Sequence, residues 1–376
     1  MARIEAVTEE SFPGLIETLD LVFGREAPRS MQTDVPLEFA PENWPNLRIV
    51  REAGRVVAHI GLLFRDASLF GHTLRLALVG AVATHPDFRG RGLATELLHH
   101  CFELARARGA HALQISGARG LYLRNGARAV GCRIEYALAP EQLAETPDPF
   151  TVRPMTPGDV DAAARLYRAK PVRYIRPRED WLLQLQHDTA QARPAVFRCV
   201  RHADGLQAYV VVRKPTDKPD THVVEYAGRP AAVLAGLAHV RAELDLAEIR
   251  LAVLPWDREM RAALQALGAP SKTDTASATI RIVNFPALME SMRPWLAECL
   301  GEADAARLAF RGEGDLAVFG AGSDHLEVAD PADLVEILFG VAGEPHPTLA
   351  AHPGPLGDIL PRSLPLPLPN YDLTYV

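Results

Sequence analysis

The chain has 376 residues, 48% hydrophobic and 23% charged, with a formal net charge of -7. That length exceeds the roughly 250–300 residues one core serves, so two or three domains are expected, and the composition excludes a disordered or fibrous protein. The negative balance argues against broad binding to a phosphate backbone, so no nucleic-acid partner is expected; a cationic small molecule or a basic peptide fits better.

Cys101, Cys132, Cys199 and Cys299 lie far apart with no C-x-x-C pair, so neither a zinc site nor a disulfide framework is indicated. The opening MARIEAVTEE has no charged-then-apolar signal region, and no apolar run approaches the ~18 residues that span a bilayer. The expectation is a cytoplasmic protein with no membrane partner.

In chain order, Arg3 to Val7 reads as a strand and Thr8 as the cap of a helix from Glu9 to about Phe23. Leu47 to Arg51 and Arg55 to Phe64 are β-branched runs split by Ala53-Gly54, a hairpin signal, and Leu74 to Thr84 follows a turn at Gly71. From Gly92 to Arg108, Leu93, Leu97, Leu98, Cys101, Phe102 and Ala105 recur at helical spacing, with Gly109 as the left-handed stop. Ala112 to Ser116 is a further short strand. The order β-α-β-β-β-α-β defines a mixed α/β (α+β) layer.

The plan recurs about 150 residues later. Arg48–His59 is echoed by Arg198–Tyr209, residues 3–11 by Thr151–Asp159, and Leu121–Arg128 by Ala263–Pro270. A duplication is the reading. Beyond Ile282 the pattern changes: Phe285 to Leu300 reads as helix, Leu316 to Val318 as strand, and Asp330 caps a helix through Phe339. The proline-rich tail from Glu344 onward is expected to be extended rather than helical.

The sharpest chemical signal is the segment Ala81 to Thr95 between a strand and a helix. Arg89 to Ala94 is an R-x-x-G-x-A turn in which Gly90 and Gly92 let the backbone curl, so that N–H groups and the positive helix end hold a diphosphate. Neither G-x-G-x-x-G nor G-K-[ST] is present, which sets nicotinamide and nucleotide-hydrolysis chemistry behind. Tyr122 stands four residues before Gly126, and a phenol can serve as a proton donor. No carboxylate in the segment is an obvious base, and His85, just ahead of Pro86, reads as structural.

The segment resembles motif A of the Gcn5-related N-acetyltransferase (GNAT) superfamily, and Tyr122 to Gly126 its Y-x-x-x-G element. The resemblance implies acetyl-CoA as co-substrate, with Val82, Ala83 and Thr84 along the pantetheine arm and Arg89, Gly90, Arg91, Gly92, Leu93, Ala94 and Thr95 around the diphosphate. It also implies a coenzyme contact at Ser116 and Tyr122 as general acid, with no metal. The second repeat reads Glu225 to Pro230 in place of the phosphate turn and Leu264 in place of Tyr122, so it is expected to be degenerate.

Two such units, a small α/β domain and a tail resemble the enhanced intracellular survival family of acetyltransferases, whose last domain is sterol-carrier-like. The domains implied are 1–145 (catalytic), 146–284 (degenerate) and 285–376. In that family the terminal carboxylate serves as base, here Val376; the chain ends differently, so Tyr375 and Asp372 stand beside it. The resemblance implies a small-molecule or peptide amine acceptor, such as a polyamine, an aminoglycoside or a lysine side chain, and a homo-oligomer, hexamer or smaller. The rival readings are a non-catalytic coenzyme A sensor or scaffold and a lipid carrier acting through residues 285–376.

Overall fold

The computed structural model describes residues 3–143, 150–216, 221–341 and 343–376, so the expected boundary at 145/146 lies outside the described residues. The chain forms two compact units: residues 1–24, 41–132 and 275–369 make the first, and residues 25–40, 133–274 and 370–376 the second.

The first unit is built on β1 (Ile4–Ala6), β2 (Arg48–Glu52), β3 (Arg55–Leu69), β4 (His72–Thr84), β5 (Ala112–Ile115) and β6 (Arg128–Val130). Ala53 and Gly54 both have positive φ, +48° and +83°, the backbone of a two-residue hairpin turn, and they fix the register of β2 on β3. β3 and β4 are antiparallel, whereas β4 and β5 are parallel with helix Leu93–Ala107 between them in sequence. That helix buries Leu93, Leu97, Leu98, Cys101 and Ala105 against Val57, Ile60, Ala77, Val79, Leu113 and Ile115. Each large apolar side chain so buried contributes about 1.5–3 kcal/mol.

The sheet order is β1-β2-β3-β4-β5, then strand Ala278–Ile282, then β6. The last strand of the second sequence repeat thus lies between two strands of the first. The second unit mirrors this. Its sheet runs Thr189–Ala190, Arg193–His202, Gly205–Arg213, His222–Gly228, Ile249–Val253, then Arg133–Leu138 from the first repeat, then Ser271–Asp274. The duplication is present, but the halves exchange a strand, so the compact units do not follow the linear spans 1–145 and 146–284. Apolar alternation tells a strand which face is buried, not which sheet receives it.

Residues 285–369 belong to the first unit. The expected helix Phe285 to Leu300 is two helices, Phe285–Ser291 and Arg293–Leu300, because Pro294 has no N–H for the helical ladder and sits instead in the first turn of the second. Strands Leu308–Glu313, Leu316–Ala321 and Asp324–Val328 form a three-stranded antiparallel sheet, and Asp330 caps helix Pro331–Phe339 through the N–H of Ala332 at 2.8 Å. The expected extended tail is partly helical: Pro347–Ala350 and Pro355–Ile359 are short helices with proline in the first turn, where its missing N–H costs nothing. From Ser363 onward it carries no helix or strand. Among the described residues, no helix is long and apolar enough to cross a membrane.

Candidate active site

β4 and β5 pair only from Leu76 opposite Ala112 to Val79 opposite Ile115. Beyond that point β4 continues through Gly80–Thr84 against β3 alone on its other side. The register on β3 slips here, from Ala83 opposite His59 to Gly80 opposite Gly61, so Ala81 and Val82 together face Ile60. This is a β-bulge with Ala81 at φ +44°, a left-handed conformation that alanine rarely adopts. The fully buried His59 donates through Nδ1 to the Ala81 carbonyl at 2.8 Å. Burial lowers the His59 pKa to about 4, so the ring is neutral and a fixed donor, although its bond to Ala81 pulls the other way. Where the two strands part, Ser116 donates to the Val79 carbonyl at 3.5 Å.

β4 runs into a short 3-10 turn, Pro86–Phe88, and then into the glycine bend. His85 holds the turn: Arg55 donates to Nε2 at 2.8 Å, which leaves the ring proton on Nδ1, 3.6 Å from the Asp87 carboxylate. Its structural reading is therefore supported. Gly90 and Gly92 both lie at positive φ, +76° and +80°, and Gly92 precedes helix Leu93–Ala107. Among the described residues, the N–H groups of Gly90, Arg91, Gly92, Leu93 and Ala94 have no acceptor, and the bend itself is exposed. Five successive free amides at a helix N-terminus are suited to hold an anion. The Thr95 amide is not among them, because it bonds the Gly92 carbonyl at 3.0 Å. Arg91 is turned aside onto Glu52 in a bidentate pair of 3.0 and 2.6 Å, and Arg89 bonds the Thr84 carbonyl at 3.3 Å, so both brace the bend.

Tyr122 lies in the short helix Gly120–Leu123, 2% exposed, in the same apolar cluster as Val79, Leu93, Leu97 and Ile115. Its carbonyl accepts the N–H groups of Asn125 and Ala127 at 3.0 and 3.2 Å, which folds the chain back directly after it. Gly126 makes that reversal at φ +78°, and a Cβ there would stand 2.5 Å from Cγ of Pro331. The spacing from Tyr122 to Gly126 thus has a local cause. The strand edge, the amide run and Tyr122 all belong to the first unit.

A strand edge freed by a parting parallel pair, followed by a bend of free amides and a helix, suits a thioester carrier with a diphosphate. The family model for the acetyltransferase (GNAT) domain matches residues 3–129. Residues 3–129 are a GNAT acetyltransferase domain. The chain thus contains an acetyltransferase domain, whose fold binds acyl-coenzyme A. Its whole length has the fold of a GCN5-related N-acetyltransferase from Kribbella flavida, with TM-score 0.67, 16% identity and 100% of both chains covered. Eis1 from Mycobacterium abscessus gives TM-score 0.60 at 14% identity, again over 100% of both chains. A probable N-acyltransferase from Enterococcus faecalis V583 gives 0.67 at 13%, with the same coverage. No curated protein sequence matches the chain.

The second unit repeats the parting strands without the run of free amides. His222–Gly228 pairs in parallel with Ile249–Val253 only at His222 with Arg250 and Val223 with Leu251. Past the strand end the N–H of Arg229 bonds the Gln207 carbonyl at 3.1 Å, and Pro230 has no N–H to offer. Leu264, in the place of Tyr122, is fully buried in the apolar core. What sequence reasoning missed is a buried ionic group in this unit. Arg176 bonds Glu225 at 3.0 and 2.6 Å and Asp372 at 3.0 Å, while lying over the rings of Tyr167 and Trp181. Burial raises the Asp372 carboxyl to about 6 against the pull of Arg176. Val376, the expected base, is 4% exposed and belongs to the second unit with the rest of the last seven residues.

Proposed function

We propose that the first unit moves an acetyl group from acetyl-CoA directly to a primary amine. The observation that carries this reading is the run of free amides from Gly90 to Ala94 immediately after the unpaired edge of β4. The amides fit a diphosphate, and the edge of Gly80–Thr84 fits the amide groups of a pantetheine arm. A backbone N–H at the bulge polarises the thioester carbonyl. The amine nitrogen attacks the carbonyl carbon, the carbon–sulfur bond breaks, and Tyr122 gives its phenolic proton to the departing thiolate. The proton released by the amine goes to the carboxylate of Val376 or to a water.

A lysine side chain, a polyamine or an aminoglycoside supplies the required amine. The lipid-carrier alternative is disfavoured because Phe285, Phe310 and Phe319 pack edge to face inside residues 285–376, with centroids 4.8–6.2 Å apart.

The test is thiol release from acetyl-CoA across an amine panel, with wild type, Tyr122→Phe and a chain lacking Val376. General-acid loss should lower kcat by about 10²-fold or more in Tyr122→Phe, with coenzyme affinity retained. Equal turnover in all three proteins would remove both assigned roles. A wild type that binds coenzyme but acetylates no amine would mark a sensor.

A further inference from the structure

The second unit keeps the parting strands of an acyl-coenzyme A site and has lost the anion bend. Beside the parting strands the unit holds peptide. Glu225 lies two residues beyond the last parallel pair of its strand, and its Oε2 accepts the N–H of Leu373 at 3.3 Å. Gln184 donates to the Leu373 carbonyl at 2.7 Å and Gln191 to the Tyr371 carbonyl at 3.0 Å. Arg176 spans Glu225, Asp372 and the Thr374 hydroxyl, the last at 3.2 Å. Tyr167 donates a short hydrogen bond to Asp372, whose other oxygen accepts the N–H of Thr374 at 2.7 Å. Leu373 is fully buried in the apolar cluster that contains Trp181 and Tyr209.

Backbone groups on both sides of one residue, an ion pair to its neighbour and a pocket for its side chain are the elements by which proteins bind extended peptides. Core charges are costly unless fully paired, and here the pairing is completed by the tail: without Asp372, Arg176 loses one of its two buried carboxylates. A segment that only ran over a surface would not supply a buried ionic partner to the core beneath it.

We propose that the second unit is a receptor for the peptide Asn370–Val376, with Arg176 as the residue that closes it, and that it holds this peptide without needing the covalent link to the rest of the chain. The degenerate repeat has exchanged a coenzyme for the end of its own chain. The receptor assignment stands apart from catalysis. Its consequence, that the site positions the terminal carboxylate, rests on the proposed role of Val376.

The experiment uses the full chain with a specific protease site between Pro369 and Asn370, cut after folding. The released heptapeptide should stay bound through gel filtration and exchange with excess synthetic Asn-Tyr-Asp-Leu-Thr-Tyr-Val. The same peptide with asparagine at its third position, equivalent to Asp372→Asn, should compete about 10- to 100-fold more weakly, the scale of one charged hydrogen-bonded pair. Arg176→Met should lose the peptide at once. If that variant misfolds, Gln184→Ala, which removes only the bond to Leu373, should weaken retention instead. Immediate loss of the peptide from the cut wild type, or equal competition by both synthetic peptides, would overturn the proposal. Binding is read without acetyl transfer, so an inactive enzyme that retains its peptide would remove the proposed reaction and leave the receptor. A C-terminal amide peptide that binds and restores full activity would remove the role of Val376 alone.

Discussion

The Nδ1 of His59 donates to the carbonyl of Ala81 across the bulge that separates β3 from β4. The bulge takes that carbonyl out of the ladder, and the fully buried imidazole gives it a partner. Removing the donor should therefore loosen the bulge rather than the sheet. His59→Leu is expected to lose about 1–3 kcal/mol of stability. Its kcat should fall more than its affinity for coenzyme A, because the proposed diphosphate contacts at Gly90–Ala94 stay in place while the Gly80–Thr84 edge loosens. His59→Asn places an amide nitrogen near the position of Nδ1 and should recover most of the rate. Steady-state kinetics beside calorimetry of coenzyme binding would check this; a parallel loss of kcat and coenzyme affinity would contradict it.

Two buried histidines set an acid limit on stability. His59 and His111 both have pKa values lowered to about 4, by burial first, with the Arg75 charge adding to the effect at His111. The unfolded chain, with ordinary values near 6.5, takes up protons that the folded chain refuses. Stability is therefore full above about 6.5 and is lost as pH falls toward 4. Urea midpoints measured from pH 7 to 4.5 should decline, and His59→Asn, which cannot titrate, should decline less steeply.

Gly92 is required by conformation and not by crowding. It sits at φ +80°, with open space where a Cβ would stand. Gly92→Ala should cost about 1 kcal/mol if the backbone holds, and should otherwise shift the amides of the bend. A several-fold to tenfold weaker coenzyme affinity with a folded protein is expected by calorimetry. Unchanged affinity would mean that the bend does not hold the diphosphate.

Gly126 presents the opposite case. An added methyl group would meet Pro331 at 2.5 Å as well as a positive φ, so Gly126→Ala should destabilise by about 1–3 kcal/mol and displace Tyr122. Thermal unfolding and turnover should both fall, unlike the separation expected for Gly92→Ala.

The helix Leu93–Ala107, the Ala53-Gly54 hairpin and the glycine bend were legible because each follows from neighbours a few residues apart. The repeat was legible as well, since its echoes are local patterns copied once. His59 was hidden within the apolar run of β3, where nothing in the sequence marks the register slip that gives it a partner. Arg176, Glu225 and Asp372 are separated by up to 196 residues, and Asp372 entered only as one of several tail candidates. The tail gave only a proline count, which did not distinguish a free linker from a bound peptide.

The strand exchange makes a prediction about where the chain divides. A fragment of residues 1–145 contains motif A and Tyr122, and on sequence grounds is a complete domain. It lacks strand Ala278–Ile282, whose Thr279 and Ile282 pair with Ile115 and Ala112 on one side while Ala278 and Ile280 pair with Val130 and Arg128 on the other. It also lacks Phe339, whose carbonyl accepts the N–H of Gly131 at 3.0 Å, and Pro331, against which Gly126 packs. β5 and β6 would then present unpaired edges, a template for aggregation. The fragment should be insoluble or unfolded by circular dichroism. Joining residues 275–369 to residue 132 through a flexible linker, with residues 25–40 replaced by a short one, should restore a folded unit that binds coenzyme A. A stable, coenzyme-binding 1–145 fragment would show that the exchanged strand is dispensable to the site.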